Sequence, residues 1–259
     1  DNQDTTYVRL TTAWRPSDKL EATLRYSESS KDTNSTAIWG YQQVGGYVDG
    51  VLQEGHVYQK AGATQDHGPW QVSRNESSAA VIDDKSITLD ITYDLDFASV
   101  RFTHNETEFD GLQFYDSDYS DAGSLSDAGK FIGWVSTQDD TSTELQLVSN
   151  SDGDLQWTLG YYMFEQDSDW GWVGSDYSGN GTIVEWIWGH NEYVSESTAI
   201  YGNATYSISE SLRVTAGLRS NEDKKGRVGA RNTWDDTLWK AAIESDISGD
   251  MMVYASAST

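Results

Sequence analysis

The chain has 259 residues, with 17 basic and 42 acidic side chains and a formal charge of −25. That balance excludes a basic nucleic-acid footprint and argues against an anionic membrane surface as partner. The absence of cysteine excludes disulfides and thiolate metal sites.

In chain order, ten segments alternate apolar and polar residues with a period of two, and they fall into five pairs. The first pair is 7–15 and 20–27, joined by Pro16-Ser-Asp-Lys19; Leu20, Ala22, Leu24 and Tyr26 alternate with Glu21, Thr23, Arg25 and Ser27. The second is 86–93 and 98–104, joined near Asp94-Leu-Asp-Phe97, with Ile87, Leu89, Ile91 and Tyr93 in one phase. The third is 143–149 and 155–165 around Asn150-Ser-Asp-Gly-Asp154, where Asp-Gly is a hairpin signal. The fourth is 196–206 and 212–220, and the fifth is 238–245 and 251–258 around Asp246-Ile-Ser-Gly-Asp250.

Links inside a pair are short and polar. Links between pairs, roughly 28–85, 105–142, 166–195 and 221–237, are long and rich in Asp, Ser, Gly, Asn and Tyr. Connections of that length are unusual in a compact soluble domain. Their alternation with short turns is the layout of an all-β, antiparallel, up-and-down transmembrane barrel. A soluble sandwich shows the same alternation along a strand but does not explain the alternating link lengths. Trp14, Tyr26, Tyr93, Trp157 and Trp239 stand near strand ends, where an interfacial aromatic girdle lies.

The run Ser197–Tyr206, then Leu212-Arg-Val-Thr-Ala-Gly-Leu-Arg219 and Glu222-Asp-Lys-Lys225, resembles the mid-barrel signature of TonB-dependent outer-membrane receptors. Trp239–Glu244 with Val253–Ser258, Glu144–Ser149 with Leu155–Gly160, and Trp14–Leu20 resemble further hairpins of the same family in order. The resemblance implies about ten strands of a 22-stranded barrel in the outer membrane of a Gram-negative bacterium, with short periplasmic turns and long extracellular loops. No plug domain or energy-coupling box is visible, and the last strand lacks a closing aromatic, so 1–259 is expected to be one partial barrel domain. The implied function is uptake of a scarce ligand, foremost a ferric siderophore or similar iron chelate. The implied partners are membrane lipid, the receptor's own plug and, through it, the TonB energy-coupling complex.

No catalytic constellation, resident cofactor or metal motif is legible. His56, His67, His104 and His190 lack zinc spacing, and the carboxylate pairs Asp83-Asp84 and Asp139-Asp140 lack a calcium-loop pattern. Trp170, Trp172, Trp186 and Trp188 are expected as loop aromatics that stack on a ligand. Arg25, Arg101, Arg213, Arg219, Lys240 and Glu244 share the polar phase and are expected to line the lumen. Two other classes fit less of the chain: a complete ten-stranded outer-membrane protease-like barrel, which needs rim acids and a His–Asp pair, and a soluble carbohydrate-binding module built on the tryptophans.

Overall fold

The computed structural model describes residues 3–33, 46–48, 51–53, 79–116, 131–150, 153–177 and 183–259. Twelve strands occur there: β1 (Gln3–Ser17), β2 (Leu20–Thr33), β3 (Gly46–Val48), β4 (Val51–Gln53), β5 (Ala79–Asp94), β6 (Ala98–Asp116), β7 (Phe131–Ser149), β8 (Leu155–Tyr177), β9 (Ile183–Ser209), β10 (Leu212–Arg227), β11 (Ala230–Ser248) and β12 (Met251–Ser258). Ten form one antiparallel sheet in the order β1-β2-β5-β6-β7-β8-β9-β10-β11-β12, while β3 and β4 pair with each other. The five expected pairs are all present, and each strand neighbours the next in the up-and-down manner. Among the described residues β1 and β12 are free edges of an open sheet.

The strands run further than their alternating cores suggest. The expected link 221–237 is strand on both sides of a two-residue turn, Val228-Gly229, where Gly229 takes a φ of +84°. The link 166–195 is strand up to Tyr177 and again from Ile183. Asp83-Asp84 and Asp139-Asp140, read as loop acids, lie within β5 and β7. Stretches such as Asn221–Lys225 and Asp139–Ser142 read as loop because both phases are polar there and hydropathy carries no period of two. His56 and His67 lie outside the described residues.

The sheet has no core in the usual sense. Every substantial contact between strands joins hydrogen-bonded neighbours, and among the described residues the buried apolar side chains are Ala80, Ala98, Val194 and Ala199. The apolar phase is uncovered: Leu24 is 48% exposed, Leu159 52%, Ile200 67% and Leu218 59%. A sandwich would seal these residues against a second layer, and among the described residues none is there.

Register joins the apolar phases into one band. Leu24 opposes Leu89, Leu145 opposes Tyr161, which opposes Ile200, and Leu218 opposes Trp239. Above it the same phase turns charged, at Glu28 on β2, Lys85 on β5, Glu165 on β8 and Glu222 on β10. This border does not follow a hydrogen-bonded row. Glu28 opposes Lys85, but Glu165 shares its row with Ile87, and Glu222 shares its row with Met163. A level boundary crossing the rows obliquely is what tilted strands produce.

At the turn end, successive hairpins are tied together. Lys19 Nζ lies 2.7 Å from Asp96 Oδ1 of the next turn, and Asn150 Nδ2 donates to Asp94 Oδ1 at 2.7 Å. The hydrogen bond to Asp96 holds the Lys19 ammonium above the usual lysine value. This tie is therefore complete below the ordinary lysine pKa and is lost as pH climbs through the raised one. Thermal melts are expected to show a Lys19→Met variant matching the parent above that pH and trailing it slightly at neutrality.

On the polar face a glycine sets the packing. A Cβ at Gly160 would fall 2.1 Å from Tyr201 Cζ, so the tyrosine ring lies across the glycine. From there Tyr201 Oη donates to Glu144 Oε1 at 2.6 Å and accepts from Gln146 Nε2 at 2.7 Å, which stitches β9 over β8 to β7. Gly160→Ala must evict the ring and is expected to cost roughly 1–3 kcal/mol in urea unfolding. Gly249→Ala, where nothing lies within 4 Å, is the silent control. Gly160→Ala combined with Tyr201→Ala should be clearly less than additive.

Candidate functional site: the polar wall and its tryptophan tier

The residues expected to line a lumen do share one face, and four of them are engaged there. Arg25 pairs with Asp90, which also accepts from Thr103 Oγ1 at 2.9 Å. Arg213 spans Glu244 at 3.4 Å and Asp246 at 2.8 Å. Arg219 stands 5.7 Å from the ring centroids of both Tyr162 and Tyr201, and its Nε donates to Asn221 at 2.6 Å. Arg101 and Lys240 have no ion-pair partner among the described residues and are exposed on the same wall. This face is thus laced with hydrogen bonds and ion pairs, with Arg101 and Lys240 among the cations that have no ion-pair partner in the described residues. An ion pair there is partly solvated, so its worth lies in orientation more than in stability.

The tryptophans are not loop residues. Trp170 and Trp172 belong to β8, and Trp186 and Trp188 to β9. Ser136 opposes Trp170 and Trp134 opposes Trp172, which adds Trp134 of β7 to the group. The rings of Trp134 and Trp172 meet edge-on at 6.3 Å between centroids, and those of Trp170 and Trp172 at 6.2 Å. Trp170 and Trp134 remain 38% and 36% exposed, so two indoles present surface on the polar face.

A bulge places the β9 pair. Trp170 opposes Asn191, yet Trp172 opposes Trp188, so Gly189 and His190 together face Gly171. Gly189 takes a φ of +77°, the left-handed position that a bulge of this kind assigns to glycine. The Asn191 backbone N–H donates to Asp169 Oδ1 at 3.0 Å, and its side-chain amide donates to the Gly189 carbonyl, pinning the kink. The extra residue shifts β9 by one position and brings Trp188 and Trp186 into register with Trp172 and Gly174. Sequence reading missed both Trp134 and the bulge. Trp134 was hidden because its segment was read as loop, although its phase matches Gln146 and Glu144 further along β7.

A family model of the TonB-dependent receptor-like β-barrel matches residues 13–259. The chain belongs to that family. Solved structures agree on the fold. The ferric yersiniabactin uptake receptor FyuA from Yersinia pestis is 13% identical with a TM-score of 0.69, covering 98% of this chain and 37% of its own. The siderophore receptor PiuA from Acinetobacter baumannii is 12% identical with a TM-score of 0.68, covering 98% and 41%. The copper transporter OprC is 12% identical with a TM-score of 0.65, covering 99% and 36%. The chain therefore spans well under half the length of these neighbours. No curated protein matches it by sequence.

Within this receptor-like barrel, the bulge rather than a loop fixes the tryptophan tier. Gly189→Val is expected to cost about 1–2 kcal/mol, the usual cost of a left-handed side-chain residue. It should also weaken the indole exciton band in far-ultraviolet circular dichroism. Gly189→Asn, which tolerates that conformation, should retain most of the band.

Proposed function

We propose that this chain is the central wall, one partial barrel domain over residues 1–259, of a TonB-dependent outer-membrane receptor. Its apolar band meets lipid and its polar face lines the bore. The observation that carries the reading is the single uncovered sheet, apolar on one face and hydrogen-bonded on the other, joined to a family match over nearly the whole chain. The partners are membrane lipid, a plug domain held against the wall, and the TonB complex acting through that plug. Arg101 and Lys240 are suited to meet carboxylates of such a plug.

The ligand is read as a ferric siderophore or a similar iron chelate. Support comes from neighbours that are receptors for such compounds and from the bore-side indoles at Trp170, Trp172 and Trp134. Aromatic faces stack on the planar, conjugated arms of a chelator, and Trp186 and Trp188 extend the same rows. The wall performs no chemistry on the ligand; it positions and passes it.

Intrinsic tryptophan fluorescence of the intact receptor tests this. Titration with ferric chelates is expected to quench saturably, and Trp172→Ala should weaken affinity about tenfold, equivalent to about 1.4 kcal/mol. Saturable quenching by a copper salt, a cobalamin or an oligosaccharide, with none by ferric chelates, would overturn the iron assignment and leave the receptor reading standing.

A further inference from the structure

Away from the short turns, the polar face of β6–β10 loses its acids. Asp140 shares a hydrogen-bonded row with Gln166, Ser195 and Lys225. The next row on that face holds Phe109, Gln138, Ser168, Tyr193 and Arg227. Beyond it come Ser136, Trp170 and Asn191, then Trp134 and Trp172. Among the described side chains of these upper rows, Arg227 alone is charged. In a chain of net charge −25, an acid-free tier with one cation is a local reversal.

Nothing nearby neutralises that cation. The nearest acid on its own strand and face is Asp223, two rows down. Asp140 lies three strands away and accepts from Gln138 Nε2 at 2.7 Å and from Gln166 Nε2 at 2.8 Å. Arg25 and Arg213, lower on the same face, are closed by carboxylates. Arg227 is exposed and held from one side. Its Nε donates to Tyr193 Oη at 3.2 Å, and its guanidinium carbon stands 5.4 Å from the Tyr193 ring centroid. Its two Nη groups have no partner among the described residues. A guanidinium oriented this way offers a fork to a planar oxyanion. Lys225, exposed on the same face and also without an ion-pair partner there, adds a second positive charge.

The fork stands beside the exposed indole. Trp170 is two strands from Arg227 and one row further on, with Tyr193 on the strand between them. That is about 10 Å across the sheet and about 7 Å along it. One compact molecule can reach both, with a ring on Trp170 and an anionic oxygen on Arg227. A neutral molecule of the same shape leaves the fork unused, and a cationic one is repelled.

We propose that Arg227, positioned by Tyr193 and assisted by Lys225, selects the charge of the ligand, which is an anionic aromatic chelate presenting catecholate or carboxylate oxygens to the guanidinium. The proposal rests on the ligand reading above and narrows it to anions.

Isothermal titration calorimetry of the intact receptor provides the test. The probes are an anionic ferric tris-catecholate, a neutral ferric trihydroxamate of similar size and a metal-free aromatic carboxylate. The anionic chelate is expected to bind the parent about tenfold tighter than the neutral one, and Arg227→Gln should remove that preference while shifting the neutral chelate less than about twofold. Tyr193→Phe keeps the ring and loses the Nε bond, so it should weaken the anion alone, by about threefold. Lys224→Gln, one position along but on the opposite face, should change nothing. A heat-dependent mobility shift identifies folded variants. Binding of the metal-free anion with the same dependence on Arg227, and no gain from iron, would remove the iron assignment and uphold this one. Equal or tighter binding of the neutral chelate overturns the proposal. So does an Arg227→Gln effect that is absent or equal on both chelates, or a folded parent that binds neither anion.

Discussion

Side chains on a strand alternate between faces with a period of two, so the register between neighbours decides which medium every residue enters. In this chain that rule holds along most of the strand pairs, with few slips. A one-residue shift anywhere in the band would turn Leu218 toward the arginines and Arg219 toward hydrocarbon. The backbone satisfies its own polar groups between strands, which is the requirement for crossing lipid without a second layer. Among the described residues the packing that a soluble protein places in a core is absent, and the remaining specificity lies in lateral contacts. The Tyr201 ring over Gly160, the Arg213 carboxylate clasp and the ties between turns all act sideways, from strand to strand.

Among the described pairs, the slips at Trp14/Ser17, Leu212/Arg213 and Asp246/Ser248 lie beside the short turns, and the one that lies away from them is informative. The bulge at Gly189 breaks register above the polar network and below the far end of β8 and β9, in the tier of tryptophans. Below it, most of the charged residues singled out on the polar face are committed to a neighbour, as Arg219 is to two tyrosines and Arg213 to two carboxylates, with Arg101 and Lys240 the exceptions. At it, indole surface is left open.

Much of this was legible in the residues. Leu212 to Arg219 states both faces in eight letters, and Asp-Gly and Ser-Gly-Asp mark their turns. That Arg25, Arg101, Arg213, Arg219, Lys240 and Glu244 share one polar face followed directly. What stayed hidden was strand beyond the band. Asn221 to Lys225 and Asp235 to Thr237 are polar on both faces, so period two leaves no trace in hydropathy. The tryptophan tier was misplaced for the same reason: Asp167, Ser168 and Asp169 before it read as loop, and a bulge of one residue has no signature beyond a glycine.

The central claim, that the apolar phase meets acyl chains and the polar phase meets an aqueous bore, is open to direct measurement because the chain has no native cysteine. Single cysteines from Val214 to Arg219 on β10 of the membrane-reconstituted receptor can each carry a nitroxide. Collision rates with oxygen and with a water-soluble nickel chelate should then alternate. Positions 214, 216 and 218 should favour oxygen, and 215, 217 and 219 should favour the chelate or be shielded from both. Equal profiles at successive positions, or nitroxides at 214, 216 and 218 that neither reagent reaches, would contradict the account.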